Sequence, residues 1–189
     1  MLKEIRCDNF IEKRIEFSKG LNSVLGDDFS TNSIGKSTFL MILDFIFGGN
    51  TFLTKNSGSI NELGELPFFF SFEFGHKQLY FTRNTENPEV VSNCDKNYNI
   101  LSEITVKEYC SLIKGEYAIE NEYISFRDTV GLFSRIWGKD NYSVDKPLLS
   151  FLKEPDYASI NRMVKLFGFY NQIRETESNL KDKQESKSA

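Results

Sequence analysis

Residues 35–38 read Gly-Lys-Ser-Thr, a set of residue types suited to binding phosphate groups. The glycine lets the backbone pass close to an anion, the lysine reaches the β- and γ-phosphate oxygens, and the next hydroxyl coordinates Mg²⁺. A helix that begins here would add free N–H groups and the positive end of its dipole. We therefore predict a site for ATP and Mg²⁺, with Ser37 as the metal ligand, that is formed by Asn32, Ser33, Ile34, Gly35, Lys36, Ser37 and Thr38.

The loop before Gly35 departs from the usual phosphate loop, in which four residues separate the two glycines. Ser30 stands where the first glycine is expected, and eight residues separate Gly26 from Gly35. Either the loop has grown by about four residues, which costs little closure entropy, or Ser30 itself begins the phosphate cradle. The remaining alternative is an ordinary loop that caps a core helix.

The elements around this loop should follow the order strand, loop, helix that such a site requires. Alternating apolar residues predict two paired strands near the N-terminus, followed by a third, buried strand at Leu21–Leu25. The run KSTFLMILDFIF predicts a buried helix over residues 36–47 that Gly48 and Gly49 terminate.

The remainder of the chain should add an antiparallel β layer and then helices. Residues 50–66 are rich in Asn, Thr, Ser and Gly and predict a loop. After it we predict a hairpin in residues 67–84 that turns at Gly75-His76, and then a short strand at 89–91. Three helices should follow, the first within residues 104–115. The second runs from Phe126 to Trp137 and begins with a capping box of Ser125 and Asp128, and the third follows Pro155 and is capped by Asp156.

Residues 171–189 differ in kind from the residues before them. Ile173 and Leu180 lie seven residues apart in a charged stretch, and Leu166 continues the same interval backward. A heptad stripe is how a coiled coil begins, although a solvated tail explains the spacing equally well. We divide the chain into a lobe at 1–170 and a coiled-coil root or charged tail at 171–189.

Composition narrows the class of protein. The chain has 189 residues, which suits one domain, and a net charge of −4, which shows no general bias toward nucleic acid. Three scattered cysteines and one histidine indicate neither a disulfide framework nor a zinc site. The N-terminus lacks the apolar run of a signal peptide, and no apolar run is long enough to span a membrane. We expect a soluble cytoplasmic protein with no membrane partner.

Two stretches carry a family resemblance. The N-terminal strands NF…IEFSKGLNSVLG, followed by TNSIGKSTFLMILDFIFGG, resemble the N-terminal lobe of SMC-like ATP-binding-cassette ATPases. That group includes the RecN-type repair proteins, and the nearest likeness is to an uncharacterised bacterial branch often found in defence-type operons. The motif match covers residues 1–49, and the later residues agree in the order of elements alone.

The resemblance implies an α/β P-loop NTPase lobe with an antiparallel β layer and the start of a coiled coil. In such proteins the coiled coil returns to a C-terminal lobe that carries the signature motif and the Walker B acids. Four apolar residues followed by Asp-Glu, and an LSGG-like signature, do not occur in this sequence. The implied partners are that C-terminal lobe, a second head that forms a homodimer around ATP, and DNA.

The function that follows is that of an ATP- and Mg²⁺-binding half of an SMC/RecN-like head, coupling ATP-driven head dimerisation to DNA repair or anti-phage defence. Without the acid that positions water, this lobe should hydrolyse ATP poorly, so that ATPase activity belongs to the full-length protein or complex. Two alternatives stay open. One is a self-contained P-loop kinase or nucleotidase, and the other is a non-catalytic interaction module with a vestigial loop.

Other polar residues give weaker indications of chemistry. Asp44 lies inside the helix after Lys36 and therefore cannot be a strand-borne metal ligand, and Glu73 should face solvent from a hairpin strand. No glutamine follows a strand at the point expected of a Q-loop. The glutamines in the chain are Gln78, Gln172 and Gln184.

Three basic or aromatic groups have competing interpretations. The family's basic residue after Asn9-Phe10 is replaced by Ile11, so Lys13 and Arg14 would have to contact nucleotide, although solvation is the commoner role of such residues. Two arginines eight residues apart, Arg127 and Arg135, could approach a triphosphate or a DNA backbone, but pairing with nearby acids is favoured. Core packing is expected of the PFFFSF aromatics and of Leu132, Phe133 and Trp137.

Overall fold

The computed structural model describes residues 1–23, 35–134, 139–141, 143–170, 173–176, 179–180, 183 and 186. The strands in this part of the chain are β1 Leu2–Arg6, β2 Arg14–Glu16, β3 Pro67–Phe74, β4 Lys77–Asn84, β5 Val90–Cys94 and β6 Ile100–Thr105. The helices are α1 Lys36–Ile46, α2 Thr51–Lys55, α3 Ser57–Leu63, α4 Val106–Glu116, α5 Phe126–Phe133 and α6 Asp156–Leu166.

The six strands form one antiparallel sheet in the order β2-β1-β3-β4-β5-β6. The central hairpin joins β3 to β4 in unbroken register from Pro67↔Asn84 to Phe74↔Lys77. It turns at Gly75, whose φ of 59° a residue with a Cβ rarely adopts. The mixed α/β class, the antiparallel layer and this hairpin agree with the sequence-based expectation, whereas the P-loop NTPase fold stays a prediction.

One face of the sheet carries the core. Ile5, Phe70 and Phe81 occupy directly paired positions on three neighbouring strands and are almost completely buried. Helix α1 packs on this face, and the ring of its Phe45 meets the ring of Phe68 edge-on with centroids 5.7 Å apart. Full burial of each such side chain contributes about 2 kcal/mol of transfer free energy, so Phe68, Phe70 and Phe72 of β3 have the core-packing role expected of them. Phe69 does not, because it is half-buried against Tyr98 on the opposite face.

The opposite face of the sheet centres on a buried carboxylate. Glu4 is 4% exposed and accepts hydrogen bonds from Arg6, Arg14 and the hydroxyl of Tyr98. Burial by itself would raise the pKa of Glu4, but these three donors outweigh it and lower the pKa below its usual value. The cluster therefore joins β1, β2 and the turn between β5 and β6 on the face that α1 does not cover.

Three predicted elements differ in the structure. Residues 21–23 form no strand, and Leu21 is 89% exposed, so the predicted buried strand at Leu21–Leu25 is wrong for its described residues. Residues 50–66 contain α2 and α3 rather than a loop: buried Phe52 holds α2 against the rings of Phe45 and Phe68, and Ile60 of α3 packs against the same core. The sequence analysis also missed β6, which pairs with β5 along its whole length.

Helices α5 and α6 begin close to their predicted positions. The capping box of Ser125 and Asp128 is present at the start of α5, but the helix ends at Phe133, before the predicted Trp137. Leu132 is buried as expected, whereas Phe133 is 70% exposed and is not a core residue. Trp137 lies outside the described residues.

The start of α6 corrects one capping prediction. Pro155 occupies the N-cap position, so that Asp156 is the first residue of the helix and does not cap it. The carboxylate of Asp156 instead binds the ammonium group of Lys146.

Gly168 interrupts the predicted heptad stripe. Its φ is 77°, and the N–H of Phe169 bonds to the carbonyl of Val164, a pattern that ends α6. Leu166 and Ile173 therefore lie on different helical segments, and Leu166 is not part of the stripe. A coiled coil through Ile173 and Leu180 stays a prediction.

The described part of the C-terminal segment contacts the lobe through aromatic and cationic side chains. The rings of Tyr123 and Tyr170 lie 5.5 Å apart, and the guanidinium of Arg174 lies over the Tyr123 ring and donates a hydrogen bond to its hydroxyl. Across the described ranges, none of the helices combines the length and the apolar character needed to cross a membrane.

Candidate functional site

Helix α1 begins at Lys36, directly after the glycine of the Gly-Lys-Ser-Thr motif, as the sequence predicts. Gly35 is the N-cap residue with φ 78° and ψ 8°, a left-handed conformation that favours glycine. A Cβ built on Gly35 would meet nothing within 4 Å, so the space beside it is open. The glycine is therefore required by the backbone conformation and not by crowding.

The first turn of α1 begins after an N-cap residue that has no side chain to cap its N–H groups. The first bond of the helix runs from the N–H of Phe39 to the carbonyl of Gly35, at 2.8 Å. The N–H groups of residues 36–38 precede that bond, and among the described residues no side-chain cap bond is made at the N-cap position, which a glycine occupies. No acidic residue lies in this turn. Free N–H groups at the positive end of a helix dipole are a suitable environment for an anion.

The side chains of this turn are accessible. Lys36 and Ser37 are exposed and Thr38 is half-buried, and among the described residues Lys36 has no carboxylate within ion-pair distance. Phe39 stacks on Phe17, with ring centroids 6.3 Å apart, and fixes the turn beside the chain that leaves β2. The other predicted ligand residues, Asn32, Ser33 and Ile34, lie outside the described residues.

Two arginines bind the opposite end of α1. Arg83 is 1% exposed and donates to the carbonyls of Phe45 and Gly49, while its guanidinium lies 4.0 Å from the centroid of the Phe45 ring. Burial lowers the pKa of Arg83 to about 10, so it remains charged at neutral pH. Arg127 donates to the carbonyl of Phe47 at 2.8 Å. The last carbonyls of the helix are thus satisfied by cations, which a helix C-terminus prefers.

Asp44 forms a buried ionic cluster at the same end of α1. Its side chain is fully buried and pairs with Arg127 of α5 and with Lys139, whose Nζ lies 3.2 Å from Oδ1. Burial would raise the pKa of Asp44, but the two cations outweigh it and hold the pKa below its usual value. Eight residues of helix, or about 12 Å, separate Asp44 from Lys36, which agrees with the interpretation that Asp44 is no ligand of a metal at the phosphate site.

The structure also places the other basic candidates. Arg14 binds Glu4 and Glu16 on the sheet face that α1 does not cover, so it does not reach the start of α1. Lys13 is exposed near Asp8, at 3.5 Å. Arg127 has the ion-pairing role that was favoured for it. Its counterpart Arg135 lies outside the described residues.

The two acid and amide candidates of the hairpin face away from the phosphate motif. Glu73 is 30% exposed and pairs with Lys3, on the outer face of the sheet. Gln78, paired with Glu73 in the register, is exposed on that same strand pair. Gln172 and Gln184 lie outside the described residues. No group of three or more His, Cys, Asp and Glu side chains is arranged to hold a metal in the part of the chain that the structure describes.

Sequence reasoning missed Arg83 as the residue that anchors α1. The sequence contains a pattern that could have identified it, because Arg83 follows Leu79 and Phe81 at intervals of two in a strand. That alternation places Arg83 on the core face, where a cation needs several acceptors.

Searches against protein-family models, curated proteins and solved structures found no match to this chain.

Proposed function

We propose that this chain binds ATP with Mg²⁺ at the start of α1, as the N-terminal half of an SMC/RecN-like ATPase head. The observation that carries the proposal is the conformation of Gly35, which is left-handed at the N-cap of a helix whose first residues are Lys-Ser-Thr. An ordinary capping loop does not need that combination, since a Ser, Thr, Asp or Asn side chain normally caps the first N–H groups.

The residues of the first turn fit a magnesium nucleotide. Lys36 supplies a solvent-accessible positive charge, and the hydroxyl of Ser37 is an oxygen ligand of the kind that Mg²⁺ accepts. Magnesium supplies charge that neutralises the phosphates, and the helix N–H groups supply directional donors to them. Anchoring of the other end of α1 by Arg83 and Arg127 keeps the donors in place.

Titration with a fluorescent ATP analogue tests the proposal. We expect saturable binding in the presence of Mg²⁺ that Lys36→Ala weakens by at least about tenfold, or 1.4 kcal/mol. Lys55→Ala, which removes another exposed lysine at the end of α2, is the matched control and should leave affinity unchanged. A chain that shows no saturable binding at high Mg²⁺ would instead be the non-catalytic interaction module.

The metal role of Ser37 is tested separately. Ser37→Ala should abolish the gain in affinity that Mg²⁺ provides while leaving weak, Mg²⁺-independent binding, because the helix N–H groups remain. The affinity is measured for both chains in Mg²⁺ and in EDTA. An equal Mg²⁺ dependence of Ser37→Ala and the unaltered chain contradicts the assignment of Ser37.

Hydrolysis is expected to be negligible for this chain alone. Phosphoryl transfer requires a residue that positions water, and the chain has no Asp-Glu pair after an apolar strand. Steady turnover that Lys36→Ala abolishes would favour the self-contained kinase or nucleotidase instead. In the proposed head, ATPase activity depends on a C-terminal lobe and on a second head, and DNA is the substrate on which the paired heads act.

A further inference from the structure

A polar pocket of about 480 Å³ opens on the face of the sheet that α1 does not cover. Arg14 of β2, Arg6 of β1 and Phe69 of β3 occupy directly paired positions on neighbouring strands, and all three line the pocket. Lys13 and Tyr98 line it as well. The volume lies in the range of small-molecule sites, and three of these side chains are cations, so the pocket is a candidate site for a small anion.

The two arginines of the pocket share one buried counter-charge. Like charges that lie directly opposite each other on neighbouring strands repel. The carboxylate of Glu4 accepts a hydrogen bond from Nη2 of Arg6 at 2.9 Å and another from Nε of Arg14. Because one carboxylate balances the charge of only one guanidinium group, the buried part of this cluster keeps a surplus positive charge.

The other two acids near the pocket lie at the surface. Glu16 pairs with Arg14 and Asp8 pairs with Lys13, and the side chains of these acids are 65% and 85% exposed. Exposed ion pairs of this kind contribute little free energy, because water solvates both charges well when they separate. An anion that enters the pocket can therefore compete with both acids for their cations.

Arg6 retains a hydrogen-bond donor that lacks an acceptor. Both of its bonds to Glu4 start from Nη2, whereas Nε is buried and has no partner among the described residues. Buried polar groups are normally hydrogen-bonded, and a guanidinium group binds an oxyanion through a fork of adjacent N–H groups. Since Arg6 lines the pocket, an oxyanion there can supply the acceptor that Nε lacks.

Tyr98 closes one side of the pocket in a backbone conformation that its side chain disfavours. Its φ is 63°, in the left-handed region that a bulky residue rarely adopts. Its hydroxyl donates to Glu4 at 2.7 Å, and the guanidinium carbon of Arg6 lies 5.0 Å from the centroid of its ring. Backbone strain of this kind clusters at ligand sites, where it holds a side chain in a required position. Tyr98 thus fixes the guanidinium group of Arg6 beside the pocket.

We propose that this pocket binds a small ligand through a phosphate group, with Arg6 and Arg14 as the main donors and Lys13 at the rim. A phosphate ester carries about 1.5 to 2 negative charges and three acceptor oxygens, so it suits three cations better than a singly charged carboxylate does. The pocket and α1 lie on opposite faces of the sheet, so this site is independent of the proposed ATP site.

Nitrogen-15 NMR of the arginine side chains tests the proposal. The chain carries Lys36→Ala, so that the proposed ATP site does not contribute, and it is titrated with inorganic phosphate and separately with phenyl phosphate at constant ionic strength. We expect a saturable change of the Nε–H resonance of Arg6, with a Kd on the order of 1 mM for inorganic phosphate. Tighter binding of phenyl phosphate assigns a phosphate ester as the ligand, and equal affinity assigns free phosphate.

Lys13→Ala and Lys19→Ala form a matched pair of variants. Both lysines are exposed and lie near β2, and of the two it is Lys13 that lines the pocket. Lys13→Ala should weaken phosphate binding about two- to fivefold, because a nearby exposed charge is lost, whereas Lys19→Ala should leave it unchanged. Equal effects of the two changes overturn the placement of the phosphate in this pocket.

Two further results overturn the proposal. A pocket that holds only water gives no saturable change of the Arg6 resonance up to about 20 mM of either probe. A change that sodium chloride reproduces at the same ionic strength reflects screening of the ion pairs and not binding. Because phosphate is titrated into a chain without Lys36, failure of the proposed ATP site leaves the expected result unaltered.

Discussion

At the scale of single residues, two glycines near α1 are present for different physical reasons. Gly35 has a left-handed backbone with open space beside it. Gly49 has no room, because a Cβ there would lie 2.1 Å from Oδ2 of Asp44. The first glycine permits a conformation, and the second permits the close approach of a buried carboxylate.

Gly49→Ala should therefore destabilise the protein by about 2–4 kcal/mol, since the new methyl group displaces a side chain held by Arg127 and Lys139. Gly58→Ala is the matched control, because nothing lies within 4 Å of its Cβ position inside α3. That change should stabilise the protein by about 0.5–1 kcal/mol. Urea unfolding measures both, and equal effects of the two changes contradict the close approach at Gly49.

The starts of two helices were the best-predicted residue-level features. The capping box of Ser125 and Asp128 depends on four consecutive residues and formed as expected. The start of α1 at Lys36 is equally local, since neighbouring residues mark a helix boundary, whereas the left-handed conformation of Gly35 was found only in the structure. By contrast, Asp156 was assigned as a cap although the preceding proline occupies that position.

At the scale of elements, α1 is held by contacts from distant parts of the chain. Arg83 of β4 binds the carbonyl of Phe45, Arg127 of α5 binds that of Phe47 directly after the helix, and Lys139 joins Arg127 on Asp44. A helix of this kind presents its first turn from a fixed position, which a phosphate site requires. The anchoring is therefore the structural basis of the proposed site.

Asp44→Asn should cost about 2–4 kcal/mol of unfolding free energy, because Arg127 and Lys139 then lose a buried counter-charge. Asp156→Asn removes an acid of the exposed pair with Lys146 and should cost less than about 0.5 kcal/mol. Chemical denaturation of both variants, with the unaltered chain alongside, gives the two values. Comparable losses of unfolding free energy in the two variants would mean that burial does not strengthen the ion pairs of Asp44.

At the scale of the whole molecule, buried acids are paired with arginines, and two of these acids, Glu4 and Asp44, also connect elements that are far apart in sequence. Glu4 joins the N-terminal strands to Tyr98, Asp44 joins α1 to α5, and Glu154 binds Arg162 of α6. Burial would raise the pKa of Glu154, but Arg162 and the N–H of Ser150 outweigh it and lower the pKa. All three carboxyl groups are thus held in the charged form.

These lowered pKa values predict an acid-sensitive fold. A carboxyl group whose pKa is lowered by folding stabilises the folded protein. This stabilisation is complete above the pKa of the group in the unfolded chain, which is about 4 for Asp and Glu, and it is lost as pH falls through the lower pKa of the folded state. Unfolding free energy should therefore fall steeply below about pH 4. Glu4→Gln should reduce that slope, and urea unfolding between about pH 7 and pH 3 measures it. An unchanged slope contradicts the role of Glu4.

Several features follow from the sequence by itself. Alternation in residues 67–84 predicted the hairpin, because side chains on a strand point to opposite faces at every second residue. The composition of residues 36–47 predicted a buried helix, and the motif at its start predicted the phosphate site that we propose.

The remaining features were decided by tertiary structure, because they depend on residues that are remote in the chain. Arg127 and Lys139 lie 83 and 95 positions from Asp44, so no local pattern identifies their pairing. Helix α2 forms where composition predicted a loop, since packing of Phe52 against the sheet outweighs weak helix propensity, and Ile60 of the following α3 packs against the same core. Neighbouring residues determine the conformations that one turn or one strand can stabilise, whereas burial and charge pairing depend on how the helices and strands pack together.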